Sequence, residues 1–264
     1  MIALPLPDTT RARVVYGLVG ATTTILIAEL LVRSGILDSD YVPPPSATLA
    51  ELARLASNPL FWQSVGNTLL GAAAGLAIAL LVALPLGYLI GTNSYIYHAT
   101  RPIIEFLRPV PSVALVPVAV LMLGIGINSK IFLVAFACTW PLLVQTVYGL
   151  RAVDPTLLAT AQSYRIPAAT QIRSIILPAA SPYLATGIRI SATIAIVLAV
   201  TAELVIGSPG IGRDILLAQS NGAFVTLYAL VFAAGFLALA VNLLIQRAER
   251  AVLRWHPSHR STAS

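Results

Sequence analysis

The residues able to do chemistry in this chain are few and scattered. Glu203 is the one carboxylate well inside an apolar run, in LAVTAELVIG. An ionisable group held in hydrocarbon is costly and faces either a cavity or a partner. Two roles stay open for it: a gate or pathway group, or a structural hydrogen bond to a neighbouring helix. Under the second role, which an anion pathway would favour, Glu203→Gln keeps function. His98, His256 and His259 fall in a loop and a tail and have no metal-ligand spacing. Cys138 is the only cysteine, sits in an apolar run and reads as a packing residue, with no disulfide possible within the chain. Paired carboxylates, a Ser-Lys dyad and a zinc motif on one face are all missing, so an intramembrane enzyme is a remote reading. No catalytic and no metal residues are assigned. The chain also lacks a G-x-x-x-x-G-K-[ST] loop, so it does not bind ATP in the usual way. What remains are polar groups spaced through apolar segments. Ser112, Thr139, Gln145, Thr193 and Thr201, with Glu203, are candidates for lining a solute pathway. Against each hydroxyl stands the plainer alternative that it bonds the preceding helical turn.

The elements that would position these groups follow from composition. Of 264 residues, 58% are hydrophobic and 10% charged, against roughly 25% charged in soluble proteins. Apolar runs led by Ala and Leu, without strict alternation, predict an all-α membrane protein rather than a β-barrel. Six spans are expected, forming one transmembrane domain over 1–264. The first runs from Val14 to about Val32, with Glu29 and Arg33 spaced to pair on one face at its end. The second covers about Val65–Gly91. The third, opening RPVPSVALVPVAVLMLGIG, contains Pro109, Pro111 and Pro117 and must be broken or kinked, since each proline lacks an amide donor and clashes with the turn before it. Lys130 is placed in the tight loop that ends it. The fourth is Ile131–Leu150, the fifth about Leu184–Ile206 and the sixth about Phe224–Ile245. Short helices are expected near Thr48–Ala56 and Ile215–Gln219, outside the membrane core.

Even spans place both termini on one side. That side holds Arg11, Arg13, Arg101, Arg108, Arg151, Arg165, Arg173, Arg189, Arg247, Arg250, Arg254 and Arg260, and the other holds Arg33, Arg54, Lys130 and Arg213. The bias makes the termini cytoplasmic. The net charge of +6 therefore reports topology and not nucleic-acid binding. Five spans with a re-entrant third segment would break the bias.

One polar stretch interrupts this pattern on the cytoplasmic side: Asp154–Pro182, DPTLLATAQSYRIPAATQIRSIILPAASP. Asp154 can cap a helix starting at Pro155. That helix should end near Tyr164, break at Arg165-Ile166-Pro167, and be followed by a second helix from about Pro167 to Leu177, stopped by Pro178 and Pro182. The stretch resembles the EAA-x3-G-x9-I-x-L-P motif of permease subunits of bacterial ABC importers. Ala159-Thr160-Ala161 stand in the EAA place, Arg165 in the glycine place, and Ile175, Leu177 and Pro178 in the last three, with spacing fully kept. YVPPPS, EFLRPVPSVALVPVAVLMLGIG and AELVIGSPGIG add to the likeness, which covers nearly the whole chain and is similar to the branch handling nitrate, taurine and other sulfonates, and pyrimidine vitamin precursors.

The resemblance implies a type I importer permease fold, with a transport core over about 60–250 and coupling helices over 154–178. It implies a multi-pass protein of the bacterial inner membrane. Its partners would be a second permease copy in a homodimer, two ATPase subunits that bind the ATP and Mg, and a periplasmic solute-binding protein. Ala159, Thr160, Ala161, Gln162, Arg165, Ile175, Leu177 and Pro178 would meet the ATPase. The solute implied is an organic sulfonate such as taurine, or nitrate, with a pyrimidine precursor as the alternative. The sequence departs from the motif twice: Ala159 removes an anion and Arg165 adds a cation, which makes the stretch more positive and leaves the shape of the elbow open.

Overall fold

Glycine and alanine decide how the helices pack. In the computed structural model, which describes residues 10–252, a 34-residue helix, α3 (Pro59–Thr92), lies along α6 (Ile127–Arg151). Gly71, Gly75, Gly87 and Gly91 form its contact face. A Cβ on Gly75 would come within 2.6 Å of Val134 Cβ, and one on Gly87 within 2.7 Å of Thr146 Cβ. Close backbone approach through small residues is how helices associate where lipid is as apolar as their side chains. Ala72, Ala79 and Ala83 of α3 and Leu133, Val134, Cys138 and Leu142 of α6 share the buried core with Ala195, Ile196 and Ala199 of α9 (Leu177–Ile206).

The order of these contacts fixes the topology. Gly71 meets Lys130 and Gly91 meets Leu150, so α3 and α6 run in the same direction. The chain between them must therefore return across the membrane. It does so as α4 (Ser94–Leu107), a short 3-10 turn (Ser112–Leu115) and α5 (Val116–Leu123), bent by 83° at the proline break. This is a broken crossing, as Pro109, Pro111 and Pro117 require, and not a re-entrant loop. Five other helices are long and apolar enough to cross: α1 (Thr10–Arg33), α3, α6, α9 with its N-terminal extension, and α11 (Phe224–Val252). Gly149 abuts Ala180 and Gly187 abuts Gln145, so α9 runs against α6. The remaining elements are α2 (Pro45–Ala56), α7 (Pro155–Ser163), α8 (Ala168–Gln171) and α10 (Ile211–Ser220). Among the described residues the fold is all-helical.

Helix starts are set by local chemistry that hydropathy alone misses. The second span begins at Pro59, not Val65, because Asn58 accepts the Leu60 amide at 3.0 Å and proline occupies the first turn. The fourth begins at Ile127, which brings Lys130 inside the helix. The expected Glu29–Arg33 pair forms at 2.7 Å. Glu29 also accepts from the amide and hydroxyl of Ser46, at 3.0 and 2.8 Å, tying α1 to the start of α2. Otherwise α1 stands apart, its flank exposed from Val15 to Leu30. Arg254, Arg260, His256 and His259 lie outside the described residues.

Candidate functional site

Two constructions lie at opposite ends of the α6–α9 pair. At the cytoplasmic end, Asp154 caps α7 by accepting the Thr156 amide at 2.8 Å. α7 closes in a Schellman motif: the Arg165 amide donates to Gln162 O and the Ile166 amide to Ala161 O, both at 2.9 Å. The residue at the turning point of such a cap adopts the left-handed conformation, which is why glycine is usual there. Here it is Arg165, with φ of 51°, the one non-glycine among the described residues with positive φ. The backbone thus keeps a glycine-type elbow without the glycine. Gln171 donates from Nε2 to Ile166 O at 2.8 Å and fixes the next helix to the elbow. Ala161 is buried beneath the turn, while Ala159, Thr160, Gln162, Tyr164 and Arg165 are exposed.

Beyond the elbow the expectation of a second short helix stopped at Pro178 is corrected. α8 passes through a π turn (Ile172–Ile176) directly into α9, giving one helical stretch over Ala168–Ile206. The Leu177 amide bonds Ile172 O, five residues back. A turn widened in this way accommodates the ring of Pro178, which a regular turn would meet as a clash, while Pro182 lies inside α9. Ile175 and Pro178 are half-buried and Leu177 exposed, so they belong to the base of the fifth span.

At the outer end sits a buried charge pair. Lys130 Nζ lies 2.8 Å from Glu203 Oε1, with the side chains 1% and 0% exposed. The ammonium also donates to the backbone oxygens of Asn67 and Pro209, both at 3.0 Å. The carboxylate accepts from the Thr68 hydroxyl at 2.9 Å and the Gly212 amide at 3.0 Å. Thr68 Oγ1 accepts in turn from the Ile211 amide at 3.0 Å. Every strong donor and acceptor is used, the condition under which a buried pair is tolerated. Lys130, the only lysine in the chain, was expected in an outer loop; the structure places it in the first turn of α6. Its removal leaves Arg33, Arg54 and Arg213 outside, so the cytoplasmic bias strengthens. The sequence offers one lysine in an arginine-rich chain and one carboxylate within a span, but nothing in it brings the two together. Gly71 makes the room, since a Cβ there would run into Lys130 Cε.

The pathway candidates are not gathered into one cavity. Thr139, Thr193 and Thr201 donate to the carbonyls of Ala135, Arg189 and Val197, at 2.7, 3.1 and 2.8 Å, so each bonds its preceding turn. Ser112 is half-buried in the 3-10 turn, and half-buried Gln145 packs against Gly187. Thr193 and Thr201 do share a stripe of α9 with exposed Ile190, Val197 and Val205. On the outer face a separate cavity of about 620 Å³ opens between α3, the 207–212 turn and α10, bordered by Gln63, Asn67, Gly210, Arg213 and Asn221.

Residues 75–255 match the family described as binding-protein-dependent transport system inner membrane component. The chain is similar to the taurine transport system permease protein TauC of Escherichia coli (strain K12), 30% identical over 82% of this chain and 80% of that one. It is also similar to the nitrate import permease protein NrtB of Synechocystis sp., 31% identical over 71% and 73%. Among solved structures, an inward-facing form of the MetNI methionine ABC transporter shares the fold, with a TM-score of 0.61 at 19% identity, over 75% of this chain and 98% of that one.

Proposed function

We infer, from the fact that the chain belongs to the family of binding-protein-dependent transport system inner membrane components, that it is the permease subunit of an ATP-driven importer for a small solute bearing an oxyanion group. The protein is a multi-pass component of the inner membrane and is not an enzyme. Glu203, the residue an intramembrane enzyme would need, is fully consumed by Lys130, Thr68 and Gly212. Hydrolysis belongs to two ATPase subunits that hold the ATP and Mg. A periplasmic binding protein delivers solute to the outer face. An organic sulfonate such as taurine, or nitrate, is the solute class that the two relatives' names share as chemistry: a compact oxyanion group with charge spread over oxygens, which in taurine is balanced by its own ammonium.

The stretch 154–178 is the coupling element, and Arg165 is the observation that carries this reading. Its left-handed φ of 51° gives the elbow the shape that the glycine of the EAA motif would give, although the residue is arginine. Exposed Leu157, Tyr164 and Arg165 form the face offered to the ATPase. The α9 stripe of Ile190, Thr193, Val197, Thr201 and Val205 faces a second copy of the chain, and the hydroxyls of that stripe line the route between the copies. ATPase closure displaces the coupling element and rocks the bundle as a rigid body.

The test is a complex of this permease with its ATPase and binding protein in lipid nanodiscs. Solute-loaded binding protein is expected to stimulate ATP hydrolysis, and Arg165→Glu to depress that stimulation, because the cation meets an acidic ATPase groove. Unchanged stimulated hydrolysis in Arg165→Glu would refute the role given to the elbow.

A further inference from the structure

The coupling stretch and the buried charge pair close opposite ends of the same two helices. α6 ends at Arg151, three residues before Asp154, and α9 grows out of the elbow through the π turn, so 154–178 is the inner connection of an antiparallel pair. Lys130 stands in the first turn of α6 and Glu203 in the last turn of α9. A helix of 25 residues is a rod of ~37 Å, so the pair lies a membrane's thickness from the elbow.

The outer partners of the pair are not arbitrary. Lys130 holds Pro209 O and Glu203 holds the Gly212 amide, which are the backbone groups of the turn linking α9 to α10. Gly210 has a φ of 151°, and a Cβ on it or on Gly212 would collide with the Glu203 side chain. The turn is therefore moulded onto the carboxylate. It also borders the outer cavity, through Pro209 and Gly210, together with Asn67, whose carbonyl Lys130 also holds. A plain stability staple would not need this arrangement, since a buried ion pair can be exchanged for well-packed apolar residues without loss of stability. Apolar side chains could not, however, donate to Pro209 O or accept from Gly212 N.

We propose that Lys130 and Glu203 are positioning residues that anchor the outer 207–212 turn to the α6–α9 pair, so that displacement of the cytoplasmic stretch is delivered to the outer cavity. The inner end of this lever rests on the coupling role given to 154–178. The outer end rests only on the hydrogen bonds above.

The experiment uses the full complex in nanodiscs, with Ser208→Cys as a reporter in the turn. Ser208 is 1% exposed, and native Cys138 is fully buried and serves as the silent background. In otherwise native protein, maleimide labelling of the reporter is slow. In Lys130→Met/Glu203→Leu it is expected to be roughly tenfold faster, the effect of losing two buried hydrogen bonds to the turn. Binding-protein-stimulated hydrolysis is expected to fall by a similar factor while basal hydrolysis of the assembled complex persists. Slow labelling in the double variant overturns the anchor. Fast labelling with native stimulation overturns the lever. If the double variant does not insert, Lys130→Met alone removes the bond to Pro209 O and is read in the same two ways, with an acceleration of a few-fold for the single lost bond. A native chain that assembles with no ATPase sinks the coupling role, and the labelling contrast then still decides the anchor.

Discussion

Replacing Arg165 by glycine separates the shape of the elbow from its charge. A residue with a Cβ in the left-handed region carries roughly 1–2 kcal/mol of steric cost, and Arg165 sits there with a φ of 51°. Glycine removes that cost and adds roughly 0.5–1 kcal/mol of backbone entropy to be lost on ordering. The net stabilisation of the cap is about 0.5–1 kcal/mol, or about two- to fivefold in the equilibrium for opening the elbow. Hydrogen exchange at the Arg165 and Ile166 amide positions reads this directly, because both bonds of the Schellman motif, to Gln162 O and Ala161 O, must break for exchange. Arg165→Gly should therefore slow exchange at both positions. Arg165→Val, which puts a β-branched side chain at the same φ, should speed it. The same two variants remove the cation equally, so any difference between them in stimulated hydrolysis reports shape, and any shared loss reports charge. Faster exchange in Arg165→Gly than in the native protein would refute the assignment of strain to this position.

Two further outcomes follow from the outer half of the molecule. Gly71→Ala places a methyl group against Lys130 Cε, and overpacking of this kind costs about 1–3 kcal/mol; a fall in the midpoint of thermal unfolding in detergent checks it, and an unchanged midpoint would show that the lysine has room to shift. On α2, Glu51 takes bonds from Arg54 at 2.6–2.7 Å and from the Thr226 hydroxyl of α11 at 2.8 Å. The Arg54 bond, aided by Thr226, holds its carboxyl below the usual range, against the opposing effect of partial burial. A depressed folded-state value means that the stabilisation is complete above the ordinary carboxylate range and is lost as pH falls through the lower, folded value. Glu51→Gln should flatten the acid limb of the stability profile between those two values, and an identical acid limb would show that the α2–α11 tie carries no linked protons.

Helical content, the broken third segment and the polar stretch were legible because each rests on a local rule. Pro109, Pro111 and Pro117, three prolines close together, forbid one unbroken helix there, whereas the single Pro85, Pro102 and Pro141 sit inside helices, and the Asp-Pro pair at 154–155 caps α7 as such pairs do. The course of the chain after Gln171 was not legible. Pro178 and Pro182 read as stops, yet the helix runs through both, with a π turn just before Pro178 and Pro182 inside α9, and no short-range pattern in the sequence marks where a turn widens. Nor could the sequence show that Lys130 is buried. Its neighbours INSK read as a loop, and only the parallel course of α3, with Gly71 opposite, opens a slot for its stem. For Glu203 the structural role was the favoured one, but its partner is an ammonium rather than a neutral group. The expectation attached to Glu203→Gln changes accordingly: glutamine can keep bonds to Thr68 and Gly212, but it leaves a buried ammonium without its counter-charge, a loss on the order of 3–5 kcal/mol.

That difference bears on how a permease proposed to pass a solute with an oxyanion group can keep a carboxylate buried at the outer end of its bundle. A bare Glu203 would repel an oxyanion along the whole depth of the bundle, because a low-dielectric wall screens little. Paired with Lys130 at 2.8 Å and closed over by the backbone of Asn67, Pro209 and Gly212, it contributes a small dipole in place of a charge. Because the pair lies in the first turn of α6 and the last turn of α9, that neutrality is obtained only when those two helix ends and the 207–212 turn are brought together. A conformation that separated them would leave each buried ion without its counter-charge, a loss on the order of 3–5 kcal/mol. The pair therefore selects against states in which the outer ends of α6 and α9 move independently. On the proposed reading, transport motion is left with rigid displacement of the α6–α9 unit, and with bending where the helix is already irregular, the π turn at Ile172–Ile176 beside the elbow at Arg165.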